Sequence, residues 1–254
     1  MEDMVRATLI ANAGLLLEYR GVKLLADAIC RAADSFSGPP PAVWSAMLAG
    51  EPPFDRIDAL LFTHDHPDHL SPERLTEYLR RRPVKQVLLP PVEARHLELL
   101  QPFLEERGIR RLLLTPEMHM ADFRLLSGIS VRPYFTRHID KAFWNVPHCC
   151  YLLSFGEKRV LLTADADYTQ ETFQPVASVP LKAVFVNPLF FNALQARRFF
   201  KGTLNPDILC VYHVPFPQDD LRRIRPELAR NICRWDLKRG RTAVLCDPYQ
   251  RIEF

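Results

Sequence analysis

Glycine is scarce in this chain, 9 residues of 254, against 22 prolines. That ratio excludes collagen-like repeats and Gly/Ser linkers, and it implies stiff loops. There is no internal repeat and no low-complexity tract, and no apolar run approaches the roughly 18 residues needed to span a bilayer. Charge of one sign is lacking too: 33 Lys plus Arg stand against 30 Asp plus Glu, a net +3. Basicity that mild does not imply a nucleic-acid partner. The six cysteines (Cys30, Cys149, Cys150, Cys210, Cys233 and Cys246) form no CxxC pair. Most lie in apolar runs, as buried thiols do, which fits a reducing cytoplasm. Near the start, Ala11-Asn12-Ala13 mimics a signal-peptidase site, but Glu2 and Asp3 put acid where a leader needs base. The stretch is therefore read as part of the fold.

What is present is a globular composition, 48% hydrophobic and 25% charged, in a chain long enough for a sizeable core. Short β-forming runs come first, at 8–10, 15–19 and 22–26, the last two joined by Arg20-Gly21 as a tight hairpin turn. A Pro-rich loop over 37–41 and a short helical stretch precede a buried strand at 57–62. Ser71-Pro72 pairs an N-cap with Pro at the first helical position. Further strands are predicted at 86–89, 111–114, 183–186, 208–212 and 243–246, and a β-rich middle at 123–135 and 150–162. Helices are predicted over 92–106, 193–200 and 220–233. Strands followed by crossover helices argue for an α/β layered fold, and the absence of a linker for one domain over 1–254.

The strand at 57–62 ends in Thr63-His64-Asp65-His66-Pro67-Asp68-His69, so His64, His66, Asp68 and His69 place four candidate ligands in six residues. A buried strand that runs into clustered imidazoles gains nothing from burying them unless a cation uses their lone pairs. The spacing aims the ligands in different directions, as a two-metal site requires. The bland reading is a solvated polar loop with a proline kink.

This HxHxDH pattern resembles the metallo-β-lactamase fold superfamily. The resemblance implies an α/β, four-layer αββα sandwich, with two mixed sheets flanked by helices, and three later ligands on separate loops. Asp27, closing the run 22–26, matches the early Asp and is expected to support the ligands from behind or to shape a turn. Asp165, after 159–164, matches the carboxylate shared by two metals, and His213, after 208–212, matches the late histidine. The remaining ligand is His138 or His148, each beside a strand. His138 is preferred because its earlier position leaves the chain room to turn back into the sheet. His148 is then a catalytic candidate, for substrate contact or proton transfer. His96 and His119 are read as structural.

The resemblance thus implies one metal on His64, His66 and His138 and another on Asp68, His69 and His213, with Asp165 between them. Imidazole and carboxylate ligands suit zinc first, and manganese or iron as well. Two such cations make hydroxide available near neutral pH, and Asp68 is also a candidate to orient it. Several departures narrow the branch. The stretch 136–141 lacks the glycines that true β-lactamases, thioesterases and lactonases of the superfamily carry around this histidine. His66 is intact where the flavodiiron branch has Glu, which favours hydrolysis over redox use. No insertion for a nuclease cap or a tRNA-gripping arm is visible. Segment 145–153 looks closer to the branch holding ascorbate-phosphate lactonase and small phosphodiesterases.

Arg137 and Lys141 are candidates to hold an anionic substrate group, and Trp144, with Phe143, to wall an apolar pocket. Phe190 and Phe191 are read as core. Basic runs at Arg80-Arg81-Arg82, Arg222-Arg223-Arg225 and Lys238-Arg239-Arg241 are read as solvated faces and complements to helix C-termini. The expected activity is dinuclear, metal-dependent hydrolysis of a small phosphodiester, lactone or ester. A small-molecule substrate is expected, without membrane or nucleic-acid partners, and self-association is left open. The competing readings are a nuclease of the tRNA-processing type and a non-catalytic metal-binding module.

Overall fold

A computed structural model describes residues 3–33, 36–234 and 241–254 of the chain. Its contacts form two compact units, Met1–Thr115 with Asp247–Phe254, and Pro116–Cys246. The first unit opens with three strands, β1 (Val5–Leu9), β2 (Leu15–Tyr19) and β3 (Val22–Ala26). Alternation with helices follows: α1 (Pro41–Ala49), β4 (Ala59–Leu61), α2 (Pro72–Arg81), β5 (Gln86–Leu89), α3 (Ala94–Glu106) and β6 (Arg110–Leu113). The second unit holds β7 (Phe123–Leu126), β8 (Ile129–Thr136), β9 (His148–Phe155) and β10 (Lys158–Leu162). It continues with α4 (Gln170–Phe173), β11 (Ala183–Val186), α5 (Pro188–Asn192), α6 (Leu194–Phe199), β12 (Ile208–Val211), α7 (Ile224–Cys233) and β13 (Arg241–Val244). The last strand, β14 (Arg251–Glu253), belongs to the first unit.

Among the described residues the strands make two mixed seven-stranded sheets, ordered β14-β1-β2-β3-β4-β5-β6 and β13-β12-β11-β10-β9-β8-β7. In the first, β14, β1, β2 and β3 pair antiparallel, and β3 to β6 parallel. In the second, β7 to β10 pair antiparallel and β10 to β13 parallel. The β2–β3 turn is tight because Arg20 and Gly21 both take positive φ, 49° and 77°, as a two-residue hairpin of this hand requires. Strands β5, β11 and β12 are buried at every position, the continuous apolar pattern of parallel strands.

Each sheet buries one face beneath its own helices. In the first unit Leu16, Leu25, Leu60, Val87 and Leu89 pack with Met47, Leu75, Tyr78, Leu79 and Leu100. In the second, Leu152, Leu161, Val184, Leu209 and Val211 pack with Phe173, Phe190, Phe191, Phe200 and Leu228. The helix that follows the His-rich loop starts as its sequence dictates. Ser71 accepts from the Arg74 N–H at 3.3 Å, and Pro72 takes the first position.

Strand β14, missed in the sequence, is only three residues long, too short to show an alternation. The helix predicted over 193–200 is α6, which runs on into a π-helical turn at 200–204, and Ala193, whose backbone is extended (φ −69°, ψ 125°), separates it from α5. The basic run at 222–225 straddles the start of α7 rather than ending a helix. Arg225 there donates to the carbonyls of Pro215 and Cys246, at 3.2 and 3.1 Å. Of the third basic run, Lys238 and Arg239 lie outside the described residues. Among the described residues no helix is long and apolar enough to cross a membrane.

Candidate metal-ligand clusters

Four of the seven sequence-predicted ligands belong to the first unit, on the loop between β4 and α2. The loop backbone is pinned. His69 N–H and Leu70 N–H both donate to the His66 carbonyl, at 2.9 and 2.8 Å, and the Pro67 carbonyl accepts from Arg31 N–H at 2.8 Å. His64 and His69 are completely buried, and Asp68 nearly so. Ligand atoms of His64 and His66, of His64 and His69, and of Asp68 and His69 lie pairwise within 4.8 Å. His64 Nε2 and His66 Nδ1 approach to 3.0 Å, and His69 Nε2 and Asp68 Oδ2 to 3.9 Å.

Behind the loop sits Asp27, 2% exposed at the exit of β3 and held at positive φ (49°). Its Oδ1 accepts from the Thr63 N–H at 2.9 Å, and its Oδ2 accepts from the Thr63 hydroxyl at 2.6 Å. The same Oδ2 lies 2.9 Å from His69 Nδ1. A buried carboxylate bonded to Nδ1–H leaves the Nε2 lone pair of His69 facing away. Asp65, between the first two histidines, serves another end. It accepts from the Glu93 N–H at 2.9 Å and lies 2.8 Å from His96 Nδ1, tying the loop to the start of α3. Thr63, Asp65 and His96 carried no site signal in the sequence, because a Thr at a strand end and a His in a helix are ordinary there.

The other three candidates belong to the second unit, at the ends of three different strands. His138 follows β8, Asp165 follows β10 and His213 follows β12. Asp165 gathers them: its Oδ2 is 3.5 Å from His138 Nε2 and its Oδ1 is 3.6 Å from His213 Nε2. The two loops carrying His138 and Asp165 pair as a short ribbon. His138 bridges Ala166, Ile139 N–H donates to the Asp165 carbonyl at 2.6 Å, and Asp167 N–H to the Arg137 carbonyl at 2.9 Å. Asn187 steadies the carboxylate, donating to Asp165 Oδ1 at 3.1 Å and to the Ala164 carbonyl at 3.0 Å. Its Oδ1 meanwhile caps α5 through the Phe190 N–H at 2.8 Å. Ala164 and His213 take positive φ, 45° and 56°, a conformation non-glycine residues adopt at a cost.

His148 is completely buried. Its Nε2 accepts from the Asp165 N–H at 3.2 Å, and its Nδ1 is 2.7 Å from the Thr136 hydroxyl. Both ring nitrogens therefore act within the unit, on the backbone of Asp165 and on Thr136. Trp144 is 46% exposed, and its indole N–H donates to the His138 carbonyl at 3.0 Å. Arg137 and Lys141 both lie against its ring, 5.0 and 5.7 Å from the centroid. Such contacts hold two cations beside His138. Phe143 stands edge-on to His138 at 5.2 Å, while Phe190 and Phe191 are core residues. Beside the ribbon opens a cleft of about 660 Å³, lined by Thr136, Arg137, Asp167, Thr169 and Glu171 among others. Its volume is within the range of small-molecule sites.

The donor chemistry of both clusters fits a divalent cation: imidazole nitrogens and carboxylate oxygens converge, backed by groups that fix their orientation. The Cys150 thiol, beneath the ribbon, is pushed up to about 12 by burial, which removes it as a ligand or nucleophile at neutral pH.

No protein-family model matches the chain. A curated relative, the 4-amino-L-phenylalanyl-[CmlP-peptidyl-carrier-protein] 3-hydroxylase of Streptomyces venezuelae, is 32% identical over 185 residues, 70% of this chain. The match spans only 32% of that relative's length. The solved structure of CmlA, a diiron beta-hydroxylase from Streptomyces venezuelae, superposes with a TM-score of 0.66 at 20% identity. It covers 100% of this chain but 54% of CmlA. The metallo-beta-lactamase fold protein YhfI of Bacillus subtilis superposes over the whole of both chains, with a TM-score of 0.65 at 17% identity. Igni18, a metallo hydrolase of Ignicoccus hospitalis, gives 0.63 at 16% identity, over 99% of this chain and 98% of its own.

Proposed function

From the premise that this chain has the metallo-β-lactamase fold, we propose that it is a dinuclear metal-dependent hydrolase of a small ester, lactone or phosphodiester. The observation that carries this reading is the complete HxHxDH loop with its buried Asp27–Thr63 support. In this reading His64, His66 and His138 hold one divalent cation and Asp68, His69 and His213 the other, with Asp165 shared. Zinc is the first choice for the donor set, with manganese and iron compatible. When bound, two such cations supply Lewis acidity and an activated water.

The residues of the chain do the rest. Asp68 accepts a hydrogen bond from the attacking water and orients it. Arg137 and Lys141, held against Trp144, take the anionic or carbonyl oxygens of the substrate, and Trp144 shields its apolar part. The cleft beside Arg137 receives the remainder. His148 fixes the Asp165 backbone rather than touching substrate, because both its nitrogens are engaged. Six cysteines present as thiols fit a reducing, cytoplasmic setting.

One finding favours a second reading: the relative with 32% identity is a hydroxylase. The same imidazole and carboxylate ligands accept iron, so oxidative hydroxylation of an aminoacyl group competes with hydrolysis. Purified protein loaded with zinc, manganese or iron would be given bis(p-nitrophenyl) phosphate and p-nitrophenyl acetate, and separately an aminoacyl thioester with a reductant and oxygen. Hydrolysis that chelator abolishes and metal restores supports the first reading. Oxygen consumption and a hydroxylated product only with iron support the second. Nuclease activity on tRNA with a steep salt dependence would replace both. Two bound metals with no turnover at all would leave a binding module.

A further inference from the structure

We propose that Thr63 is a positioning residue whose one hydroxyl sets the tautomer of His64 and so turns its Nε2 lone pair toward the metal. The inference rests on the proposed metal reading. Thr63 is 1% exposed, at the last residue before the His-rich loop. Its hydroxyl lies 2.6 Å from Asp27 Oδ2 and its N–H 2.9 Å from Asp27 Oδ1. A carboxylate only accepts hydrogen bonds, so the single hydroxyl proton lies on the bond to Asp27. What Thr63 presents to His64 Nδ1, 3.1 Å away, is therefore a lone pair. Two lone pairs cannot bond, so Nδ1 carries the proton and Nε2 is the acceptor.

Asp27 thus orients two histidines by different routes, His69 directly and His64 through the Thr63 hydroxyl. Removing that hydroxyl takes away the acceptor that Thr63 supplies to His64 Nδ1, and the opposite tautomer would turn the Nδ1 lone pair toward Thr63. Valine keeps the shape of threonine and loses the hydroxyl, whereas serine keeps the hydroxyl and loses a methyl.

The test uses the full chain labelled with 15N-histidine, metal-free, at about pH 8 where histidine is neutral. Long-range 1H–15N correlation identifies which ring nitrogen of His64 is protonated. The expected result is protonation at Nδ1 in the wild type and in Thr63→Ser, and loss of that preference in Thr63→Val. Zinc affinity, measured by competition with a chromophoric chelator, should weaken about tenfold or more in Thr63→Val and change little in Thr63→Ser. A wild-type His64 protonated at Nε2 would overturn the proposal, as would Thr63→Val with wild-type tautomer and affinity. If Thr63→Val does not fold, the wild-type and Thr63→Ser spectra decide. A wild type that binds no zinc but shows the expected tautomer would sink the metal reading alone.

Discussion

The two units repeat one topology and use it differently. In each, three consecutive antiparallel strands lead into a run of four parallel strands, and a carboxylate stands at the turn between the two regimes: Asp27 after β3, Asp165 after β10. Both places involve positive φ, at Asp27 itself and at Ala164. Asp27 faces inward and spends its oxygens on Thr63 and His69. Asp165 is backed by Asn187 and is itself the proposed ligand. The first unit concentrates its candidate ligands in six residues and orients them by side-chain bonds. The second scatters three candidates over strand ends and holds them by backbone bonds together with the Asn187 side chain. In the proposed reading, equivalent positions of a repeated topology supply the ligand in one unit and the group that aims ligands in the other.

The difference predicts unequal fragility. Asp27→Ala strands a buried N–H, a hydroxyl and an imidazole at once, and should cost about 3–5 kcal/mol by urea denaturation. Asn187→Ala removes one cap and two steadying bonds, and should cost about 1–2 kcal/mol. Equal losses would break the comparison. His148→Ala lies between, at about 2–3 kcal/mol, since it leaves the Asp165 N–H without its acceptor. Elemental analysis of that variant should still find the wild-type metal content if His138 is the ligand. A loss of one equivalent would move the ligand role to His148.

Acid should weaken the first unit through Asp58, which is 1% exposed. Burial alone would raise its pKa, but hydrogen bonds from the Lys85 ammonium, the Lys23 N–H and the Arg56 guanidinium outweigh that and hold it below the usual carboxylate range. A depressed folded pKa stabilises above the unfolded value and is lost as pH falls through the folded one, so stability should drop below about pH 4. Asp58→Asn should cost about 2 kcal/mol at pH 7 and flatten that acid limb. An unchanged acid limb would assign the loss elsewhere. The smallest effect is chemical: a thiol reagent should modify exposed Cys233 first, with no change in stability, while buried Cys30, Cys149, Cys150 and Cys210 resist until unfolding.

The same contrast governs what could be read in advance. The HxHxDH loop is legible because its candidate ligands are neighbours in sequence. Hairpin β2–β3 and strands β5 and β11 are legible because apolar runs and turn residues bound them. Asp165 and His213 needed a family pattern, since a strand followed by Asp or His is common. Thr63 and Asn187 were invisible as site residues: their roles exist only once β3 lies beside β4, and β10 beside β11. His148 shows the converse, a histidine beside a strand that folding turns into a backbone anchor.

The proposal turns on Asp165 as a ligand common to two metals. Elemental analysis of the wild type and of Asp165→Ala, after identical metal loading, tests it most directly. The account predicts about two metals per chain in the wild type and loss of both, with turnover, in the variant. An Asp165→Ala protein that keeps two metals and full rate would contradict it.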